Sequence, residues 1–394
     1  MPSGAKLGEM KIVILCPRFP PLFDGVGDYT FHFAKELGKH AETVIVTSAL
    51  PEISEHLPAE YPAKVLSEVA TWGPTQAVQI AALVDREKPD VVNVQYVPYL
   101  YSRRGLPWGI VMLAALLRVQ GYRLVTTMHE AYGRFSKRKL SWAVLAGVHR
   151  LIAGLLVLWS DKVLFTEKLW VDELRRVFPF RAQDLVCLPV GSNIARVETT
   201  EEENQRLRQI LGLKAGNLLL TFFGTPHLSK RLDFTFAALI HLLRRGVPAK
   251  LLCLGRGMQA AVEGYSLSNI IREAVMTMDY ADEVTVSQYL SLTDIYLLPL
   301  LDGVSTRRTT MATAAEHGLP IVTTVGRRTD TEVFTPEWML LSPCHDRKSF
   351  VSNVVRLAQD IGLRECLRRR ARQMFERYFA WPVIVRTFCE LVKP

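Results

Sequence analysis

The sequence lacks the features that would place it in several common classes of protein. Its six cysteines form no C-x-x-C pair and no spacing typical of a metal site or a disulfide framework. It contains no low-complexity tract, no short-period repeat and no secretory h-region. Its basic residues do not alternate with aromatic ones, as they would in a nucleic-acid-binding stripe. We therefore expect free thiols, a cytoplasmic protein, no metal and no nucleic-acid partner.

Length and charge set the next limits. A chain of 394 residues is too long for one compact core, so two domains are expected. Apolar residues make up 49% and charged residues 22%, which is a globular composition. The chain has 48 Lys and Arg against 39 Asp and Glu, a net charge of +9 that suits anionic ligands or an anionic lipid surface. An ordinary basic surface is the alternative explanation.

One apolar segment raises the question of a membrane. LSWAVLAGVHRLIAGLLVLWS begins at Leu140 and carries His149 and Arg150 at its middle. Two polar residues at that depth argue against a membrane span, so we expect a buried helix or one lying on a membrane surface. The basic segments YSRRG and GRFSKRKLSW favour peripheral contact with an anionic membrane, which would be the inner membrane surface of the cell.

The order of apolar runs indicates the fold class. Short β-branched runs such as MKIVIL, ETVIVT and DVVNVQYV alternate with helical patterns, and their near-continuous apolar character predicts parallel strands covered on both faces. The rhythm stops after LPVGSNI and restarts at NLLLTFFG. We therefore predict an α/β protein with two Rossmann-like domains, one over residues 1–195 and one over 196–378, whose parallel sheets face a central cleft.

Ligands of such sheets bind beyond the carboxyl ends of the strands, so the loops there are candidate sites. After the first strand, Gly25 and Gly27 would let the backbone approach a ligand, and a helix starting near Asp28 would supply free amides. Turn glycines that bind nothing are the alternative. The loop MHEAYGR places His129 and Tyr132 at the end of another strand, although a lone histidine is usually structural.

Two loops of the second domain are richer in hydrogen-bond donors. FFGTPHLSKRLDF offers Gly224 for close approach and Lys230 at a predicted helix start, where a cation opposes the helix dipole and has no structural advantage. A surface lysine is the alternative. DGVSTRRTT precedes a helix predicted over residues 306–316 and adds Arg307 and Arg308. Amides at a helix start together with arginines form an anion site, so this loop is predicted to hold phosphate oxygens and sugar hydroxyls.

In their order and spacing these segments resemble the retaining glycosyltransferases of the GT-B fold, family 4 in particular. DGVGDYTFHFAKEL is similar to the family's first glycine loop and helix, FFGTPHLSKRLDFTFAAL to its G-R-L-x-x-x-K-G region, and LPLLDGVSTRRTTMATAAEHGLPIVTT to its nucleotide-sugar loop. The resemblance covers nearly the whole chain. It also implies that residues 379–394 form a last helix that crosses back to the first domain.

The resemblance implies transfer of a sugar from a nucleoside diphosphate to an acceptor hydroxyl of a saccharide, lipid-linked or small molecule, with retention at the anomeric carbon. It implies no cofactor and no metal. The implied catalytic residues are His129, Lys230 and Arg308, and the implied acceptor-binding residues are Gly25, Asp28 and Tyr132. The implied donor-binding residues are Gly27, Gly224, Thr225, Asp302, Gly303, Ser305, Thr306, Arg307, Thr309, Thr310 and Thr313.

The sequence departs from the family pattern at three positions. Counting back from Gly318, the two family glutamates fall at Ser305 and Thr313, and Thr225 replaces the arginine beside the phosphate-binding lysine. The loop resembles that of a subgroup reading D-G-x-S-x-R-R, in which Arg307 or Arg308 would supply the charge that Thr225 lacks. Two alternatives follow: a catalytically degenerate GT-B protein acting as a scaffold, and a GT-B nucleotide-sugar epimerase.

Overall fold

The computed structural model describes residues 10–22, 24–50, 53, 57–133 and 140–393. The chain divides into two compact units. The N-terminal unit combines Met1–Pro189 with Trp381–Pro394, and the C-terminal unit is Val190–Ala380. The boundary therefore lies a few residues before the expected one at 195, and the returning segment begins at Trp381 instead of residue 379. The basic segment that precedes Leu140 lies outside the described residues.

The N-terminal unit is built on a parallel sheet with the strand order β3-β2-β1-β4-β5-β6-β7. Its strands are β1 (Lys11–Leu15), β2 (Glu42–Ser48), β3 (Lys64–Val69), β4 (Val91–Tyr96), β5 (Arg123–Met128), β6 (Lys162–Phe165) and β7 (Leu185–Cys187). All six residues of β4 are buried, as expected for a central strand covered on both faces. The strand order reverses between β1 and β4, and ligands of open parallel sheets bind beside such a reversal.

The helices of this unit are α1 (Gly25–Leu37), α2 (Ala77–Glu87), α3 (Trp108–Val119), α4 (Leu140–Trp159), α5 (Lys168–Val177) and α14 (Trp381–Val392). Right-handed crossovers place α2, α3 and α4 on one face of the sheet, with α3 packed between the other two. The returning helix α14 packs against α1. There the rings of Tyr29 and Trp381 lie 5.4 Å apart, which fixes the end of the chain on this unit.

The C-terminal unit repeats the design with the strand order β10-β9-β8-β11-β12-β13. Its strands are β8 (Leu218–Phe223), β9 (Ala249–Leu254), β10 (Val275–Met278), β11 (Ile295–Leu298), β12 (Ile321–Val325) and β13 (Leu340–Pro343). Leu219 and Leu220 of β8 belong to separate apolar clusters, so this sheet is also covered on both faces. The order reverses between β8 and β11.

The helices of the C-terminal unit are α6 (Glu201–Ile210), α7 (Leu232–Arg244), α8 (Met258–Glu263), α9 (Asn269–Glu273), α10 (Glu283–Ser291), α11 (Thr309–Glu316), α12 (Arg347–Gln359) and α13 (Ile361–Met374). The two α/β units confirm the predicted pair of Rossmann-like domains. The six cysteines are free, as the sequence predicted.

Three predicted helix starts were wrong. The first helix begins at Gly25 and not near Asp28, because Asp24 caps it by accepting hydrogen bonds from the amides of Val26 and Gly27. The helix after β8 begins at Leu232, so Lys230 precedes it. The helix after β11 begins at Thr309 and not at Thr306.

Candidate functional site

The strand reversal of the C-terminal unit brings two of the predicted loops together. Strands β8 and β11 pair directly, so the loops that follow them leave the sheet side by side. The loops then join through an isolated antiparallel bridge between Lys230 and Leu300. In this bridge the Leu301 amide donates to the Ser229 carbonyl at 2.7 Å. The sequence predicted each loop separately, and the bridge fixes one against the other.

Lys230 lies over the first of these loops. Its Nζ atom donates to the Phe223 carbonyl at 3.4 Å and lies 5.3 Å from the centre of the Phe222 ring. Burial, and then the nearby positive charge of Arg308, lower the pKa of Lys230 to about 7. Because these two effects disfavour the charged form of the lysine, an anion bound beside it would gain free energy by restoring that charge. Thr225, in the same loop, is exposed.

Arg308 completes this cationic cluster from the second loop. It occupies the N-cap position of α11, and its Nη2 atom donates to Ser229 Oγ at 3.2 Å. Helix α11 then begins with Thr309 and Thr310, and no side chain among the described residues caps its amides. The Thr310 carbonyl accepts a hydrogen bond from the Tyr296 hydroxyl at 3.1 Å, which holds this first turn in place. An ammonium, a guanidinium and a helix start suit an anionic ligand.

The turn at Asp302 and Gly303 is fixed by a third loop, which follows β12. Gly303 has φ of +87°, and a β-carbon there would overlap the backbone of Gly326, so only glycine fits. The Arg328 amide donates to the Asp302 carbonyl at 3.0 Å, and its Nε atom lies 3.7 Å from the Asp302 carboxylate. Asp302 and Gly303 therefore shape the loop through contacts within this unit.

The next residues of the loop are buried. The Thr306 carbonyl accepts a hydrogen bond from the Val190 amide at 3.0 Å. Ser305 is 1% exposed, and no hydrogen-bond partner for its Oγ lies among the residues that the structure describes. Leaving such a group unpaired costs roughly 1–3 kcal/mol. Two residues stand where the family has glutamates. Of these, Ser305 is the one whose hydroxyl has no hydrogen-bond partner among the described residues.

Thr313 has a different environment. It is fully buried, and its hydroxyl lies 3.0 Å from Ser192 Oγ and donates to Asn193 Oδ1 at 3.4 Å. These contacts hold residues 192–193 against α11. One turn further, Glu316 accepts a hydrogen bond from the Arg196 amide at 3.4 Å, and burial raises the pKa of its carboxyl. The sequence analysis did not select Glu316.

The loop after β1 leads into two glycines, Gly25 and Gly27, whose surroundings differ. A β-carbon at Gly25 would meet nothing within 4 Å, so a ligand could approach there. A β-carbon at Gly27 would lie 2.6 Å from the Arg18 carbonyl, so internal packing by itself requires a glycine there. Asp28 is half-buried in the first turn of α1, with its carboxylate 3.7 Å from His32 Nε2.

A buried chain of amides fixes His129 at the end of β5. Asn93 Nδ2 donates to the Val125 carbonyl, which can only accept, so Asn93 Oδ1 must face Gln95. Gln95 therefore donates with its Nε2 atom and presents Oε1 to His129 Nε2 at 2.8 Å. His129 must donate from Nε2, which leaves Nδ1 without the proton in the neutral ring. Sequence analysis selected His129 but missed Asn93 and Gln95.

Tyr132 belongs to the packing of the N-terminal unit. It is 9% exposed, its hydroxyl donates to Glu173 at 2.9 Å, and its ring lies 4.7 Å from that of Trp170. The Arg150 guanidinium lies 4.2 Å from the centre of the same ring. These contacts fix the position of the Tyr132 ring and hydroxyl within the unit.

Other residues, which were not selected from the sequence, hold the loops of the site in place. Ser229 bonds Arg308, and Thr324 accepts from the Leu300 amide at 2.8 Å and donates to its carbonyl. Gly326 and Arg328 could have been selected from the sequence, because they directly follow a predicted strand. No sequence pattern selects Ser229 or Thr324, because their partners are distant in the chain. Among the described residues no group of three or more His, Cys, Asp or Glu side chains is close enough to hold a metal ion.

Two family models match the chain, one for each unit. Residues 23–196 match Glycosyltransferase Family 4, and residues 217–360 match Glycosyl transferases group 1. The second match contains Lys230, Arg308 and the whole bridge between their loops. No curated protein sequence matches the chain significantly.

Solved structures match over nearly the full length. Anabaena Alr3699/HepE in complex with UDP and glucose has a TM-score of 0.72 at 14% identity, over 97% of this chain and 99% of that one. Sucrose-phosphate synthase from Thermosynechococcus elongatus has a TM-score of 0.73 at 16% identity, over 97% and 98%. The catalytic domain of starch synthase IV from Arabidopsis thaliana, bound to ADP and acarbose, has 0.67 at 13%, over 98% and 99%. Because the sequence identities are this low, the structural matches establish the fold of the chain and nothing further.

Proposed function

Because the chain is a glycosyltransferase of the GT-B fold that resembles family 4, we propose that it transfers a sugar from a nucleoside-diphosphate sugar to an acceptor hydroxyl. We further propose that the anomeric configuration is retained and that no metal ion takes part. The leaving diphosphate would be bound by the C-terminal unit. UDP-glucose is the first donor to test, since Alr3699/HepE was solved with it.

The cluster of Lys230 and Arg308 at the start of α11 carries this proposal. The two cations are near enough for Arg308 to lower the pKa of Lys230, and Ser229 and the loop bridge hold them there. Keeping like charges together costs free energy unless an anion binds between or beside them. A diphosphate supplies such an anion, and its negative charge increases as the sugar leaves.

The proposed step balances without a protein base. The bond from the anomeric carbon to the diphosphate oxygen breaks, and the bond from that carbon to the acceptor oxygen forms on the same face. The acceptor proton passes to a diphosphate oxygen as the negative charge on the diphosphate grows. Lys230, Arg308 and the first amides of α11 would stabilise this charge, and removing one such donor costs about 100- to 1000-fold in kcat in other enzymes. His129 would hold a sugar hydroxyl through a hydrogen bond.

Binding of diphosphates to the wild type and to Lys230→Ala tests the proposal. Thermal unfolding is followed with UDP, GDP, ADP and TDP and with UDP-glucose, and Lys348→Ala serves as the control because Lys348 is an exposed lysine of the same unit. Ligand at about 100 times its Kd stabilises by about 2.7 kcal/mol. We expect one diphosphate to raise Tm in the wild type and in Lys348→Ala, and not in Lys230→Ala. No shift with any of them would contradict the donor site.

Product analysis tests the finer claims. Once an acceptor is found by screening, the anomeric proton of the product is compared with that of the donor by NMR, and an inverted product would refute retention. Transfer is also measured after exhaustive dialysis against EDTA and after addition of Mg²⁺ or Mn²⁺. We expect the same rate under all three conditions, and a rate that returns only with metal would refute the metal-independent mechanism.

One observation favours the scaffold as a second candidate. Neither family glutamate is present, and Thr313 contacts residues 192–193 through its hydroxyl. A scaffold would bind no diphosphate and would leave Lys230→Ala indistinguishable from the wild type. The binding experiment above therefore decides between the two candidates.

A further inference from the structure

The outer face of α4 is apolar along its whole length. Val144, Leu151 and Leu158 follow one another at seven-residue intervals, so they lie on the same side of the helix. Their side chains are 60%, 55% and 47% exposed. By length and composition this helix could cross a membrane, and only 33% of its most apolar stretch is buried.

Beyond Ser141 in the first turn, the polar residues of α4 are His149 and Arg150, and both face the protein. His149 is buried, with its Nε2 atom bonded to the Gly105 carbonyl. The Arg150 guanidinium donates to the carbonyls of Ala146 and Gly133. The outer face is therefore left with apolar side chains, which water solvates poorly.

The neighbouring helix α3 extends the patch, whereas α2 does not. Trp108, Met112 and Val119 of α3 are exposed and lie on one side of that helix. The outer face of α2, by contrast, combines exposed Val78 with the charged Asp85 and Arg86, the mixed pattern of a helix in water. Of these three helices, α3 and α4 carry the apolar surface, and we call their exposed side the apolar face.

Two exposed cations lie beside the apolar face. Arg103 and Arg104 are exposed in the loop before α3, and Gly105 of that loop contacts His149 of α4. Apolar side chains beside exposed cations are the combination that binds an anionic bilayer at its interface.

We propose that the apolar face of α3 and α4, with Arg103 and Arg104 at its edge, docks on an anionic lipid bilayer. The helix would lie in the plane of the interface and not span the bilayer, because Ile152, Leu156 and Val157 on its other side are buried in the core of the N-terminal unit. A second copy of the chain is a poorer occupant. A two-fold dimer sets the same surface against itself, so Arg103 and Arg104 of one copy would face those of the other.

Vesicle flotation tests the proposal without any sugar donor, so its outcome is independent of the proposed transferase activity. The full chain is mixed with vesicles of phosphatidylcholine alone or of phosphatidylcholine and phosphatidylglycerol in roughly equal amounts. We expect binding only to the second kind, weakening as salt is raised. Arg103→Ala with Arg104→Ala should weaken binding about 25-fold, at about fivefold for each cation.

Matched variants separate the apolar face from general effects. Val144→Gln, Leu151→Gln and Leu158→Gln together should weaken binding by at least about tenfold. The control carries Ile210→Gln, Ile270→Gln and Ile361→Gln, whose side chains in the C-terminal unit are even more exposed. Arg244→Ala with Arg245→Ala is the control for the arginine pair, since both are exposed there. Thermal unfolding verifies that each variant folds.

Three results would overturn the proposal. The first is equal binding to both kinds of vesicle, or to neither. The second is a loss in the control variants as large as that in the α4 variant. The third is a wild-type dimer in sedimentation that the α4 variant dissociates while its vesicle binding stays unchanged, which would assign the apolar face to a second copy.

Discussion

A β-carbon added to Gly224 would lie 2.6 Å from the Nζ atom of Lys230, so the lysine side chain rests directly on the glycine backbone. The same β-carbon would lie 2.8 Å from the Thr310 methyl group at the start of α11. One backbone position therefore determines where the lysine and the helix start both lie.

Gly224→Ala should consequently damage the diphosphate site. The substitution forces Lys230 and Thr310 away, and it strains a backbone whose φ is +106°. We expect diphosphate affinity to fall at least about tenfold and the free energy of unfolding to fall by about 1–3 kcal/mol. Calorimetric titration and chemical denaturation measure the two quantities.

Gly246→Ala is the control for this substitution. Gly246 has φ of +74°, and a β-carbon there would meet nothing within 4 Å. The Gly246→Ala variant should lose stability through backbone strain but keep its affinity for diphosphate. Equal losses of affinity in the two variants would show that the contact with Lys230 is irrelevant.

Binding of a nucleotide sugar should weaken as the pH rises above about 7. In the free protein burial and Arg308 lower the pKa of Lys230 to about 7, and a bound diphosphate would raise it again. Below that pH the lysine is charged in both states and the affinity is constant. Above it, binding takes up a proton, and Kd rises by up to about tenfold per pH unit until the higher pKa of the complex is reached.

UDP-glucose is the appropriate ligand for this titration. Its phosphates are diesters with a fixed charge, whereas a terminal phosphate titrates with a second pKa of about 6. Lys230→Arg keeps its charge at every pH in the range, so its Kd should not change with pH. A pH dependence that survives in Lys230→Arg would assign the titration to another group.

Arg308 and Arg307 should differ in their effects. Arg308 donates to Ser229 and lowers the pKa of Lys230, so Arg308→Ala should weaken diphosphate binding and move the midpoint of the pH dependence upward. Arg307→Ala should leave that midpoint in place. Calorimetric titrations of both variants across the pH range measure the effect, and a midpoint that moves only in Arg307→Ala would reverse the assignment.

The tautomer of His129 is a fourth prediction. The chain of amides through Asn93 and Gln95 requires the proton on Nε2. Nitrogen-15 NMR of the imidazole should therefore show a protonated Nε2 and an unprotonated Nδ1 in the neutral ring. Gln95→Leu removes the acceptor and should produce a mixture of tautomers. A single Nδ1-protonated form in the wild type would contradict the amide orientations.

The Gln95→Leu variant also needs a check on stability, because Asn93 loses its donor in a fully buried place. We expect a loss of about 1–3 kcal/mol in the free energy of unfolding. Asn93→Leu should lose a similar amount. If Gln95 positions His129, Gln95→Leu lowers kcat more than a variant of equal stability elsewhere in the unit, such as Val92→Ala.

The sequence predicted the two sheets correctly because strand pattern is a local property. Runs such as MKIVIL and NLLLTFFG are apolar on both sides, and only strands covered on both faces of a sheet need that pattern. The loops that follow these strands could also be found, since chain order places them at the carboxyl ends. Lys230 and Arg308 were selected on that ground, and both lie at the strand reversal of their unit.

The reasons for individual residues could not be predicted in the same way. Gly27 was selected as a ligand-approach glycine, but the carbonyl that excludes a side chain there belongs to Arg18. Thr313 was placed against the donor by counting from Gly318, and the structure turns its hydroxyl toward Ser192. In both cases the deciding atom belongs to another segment, about which local pattern carries no information.

The sequence by itself determined the order of strands and helices, the two α/β units and the donor-rich character of the loops, because these follow from periodicity and residue type. Only the tertiary structure decided that Lys230 rests on Gly224 with a lowered pKa, that Gln95 sets the proton of His129, and that the outer face of α4 is left apolar. These properties depend on distances and burial between residues far apart in the chain, and those quantities exist only after the chain has folded.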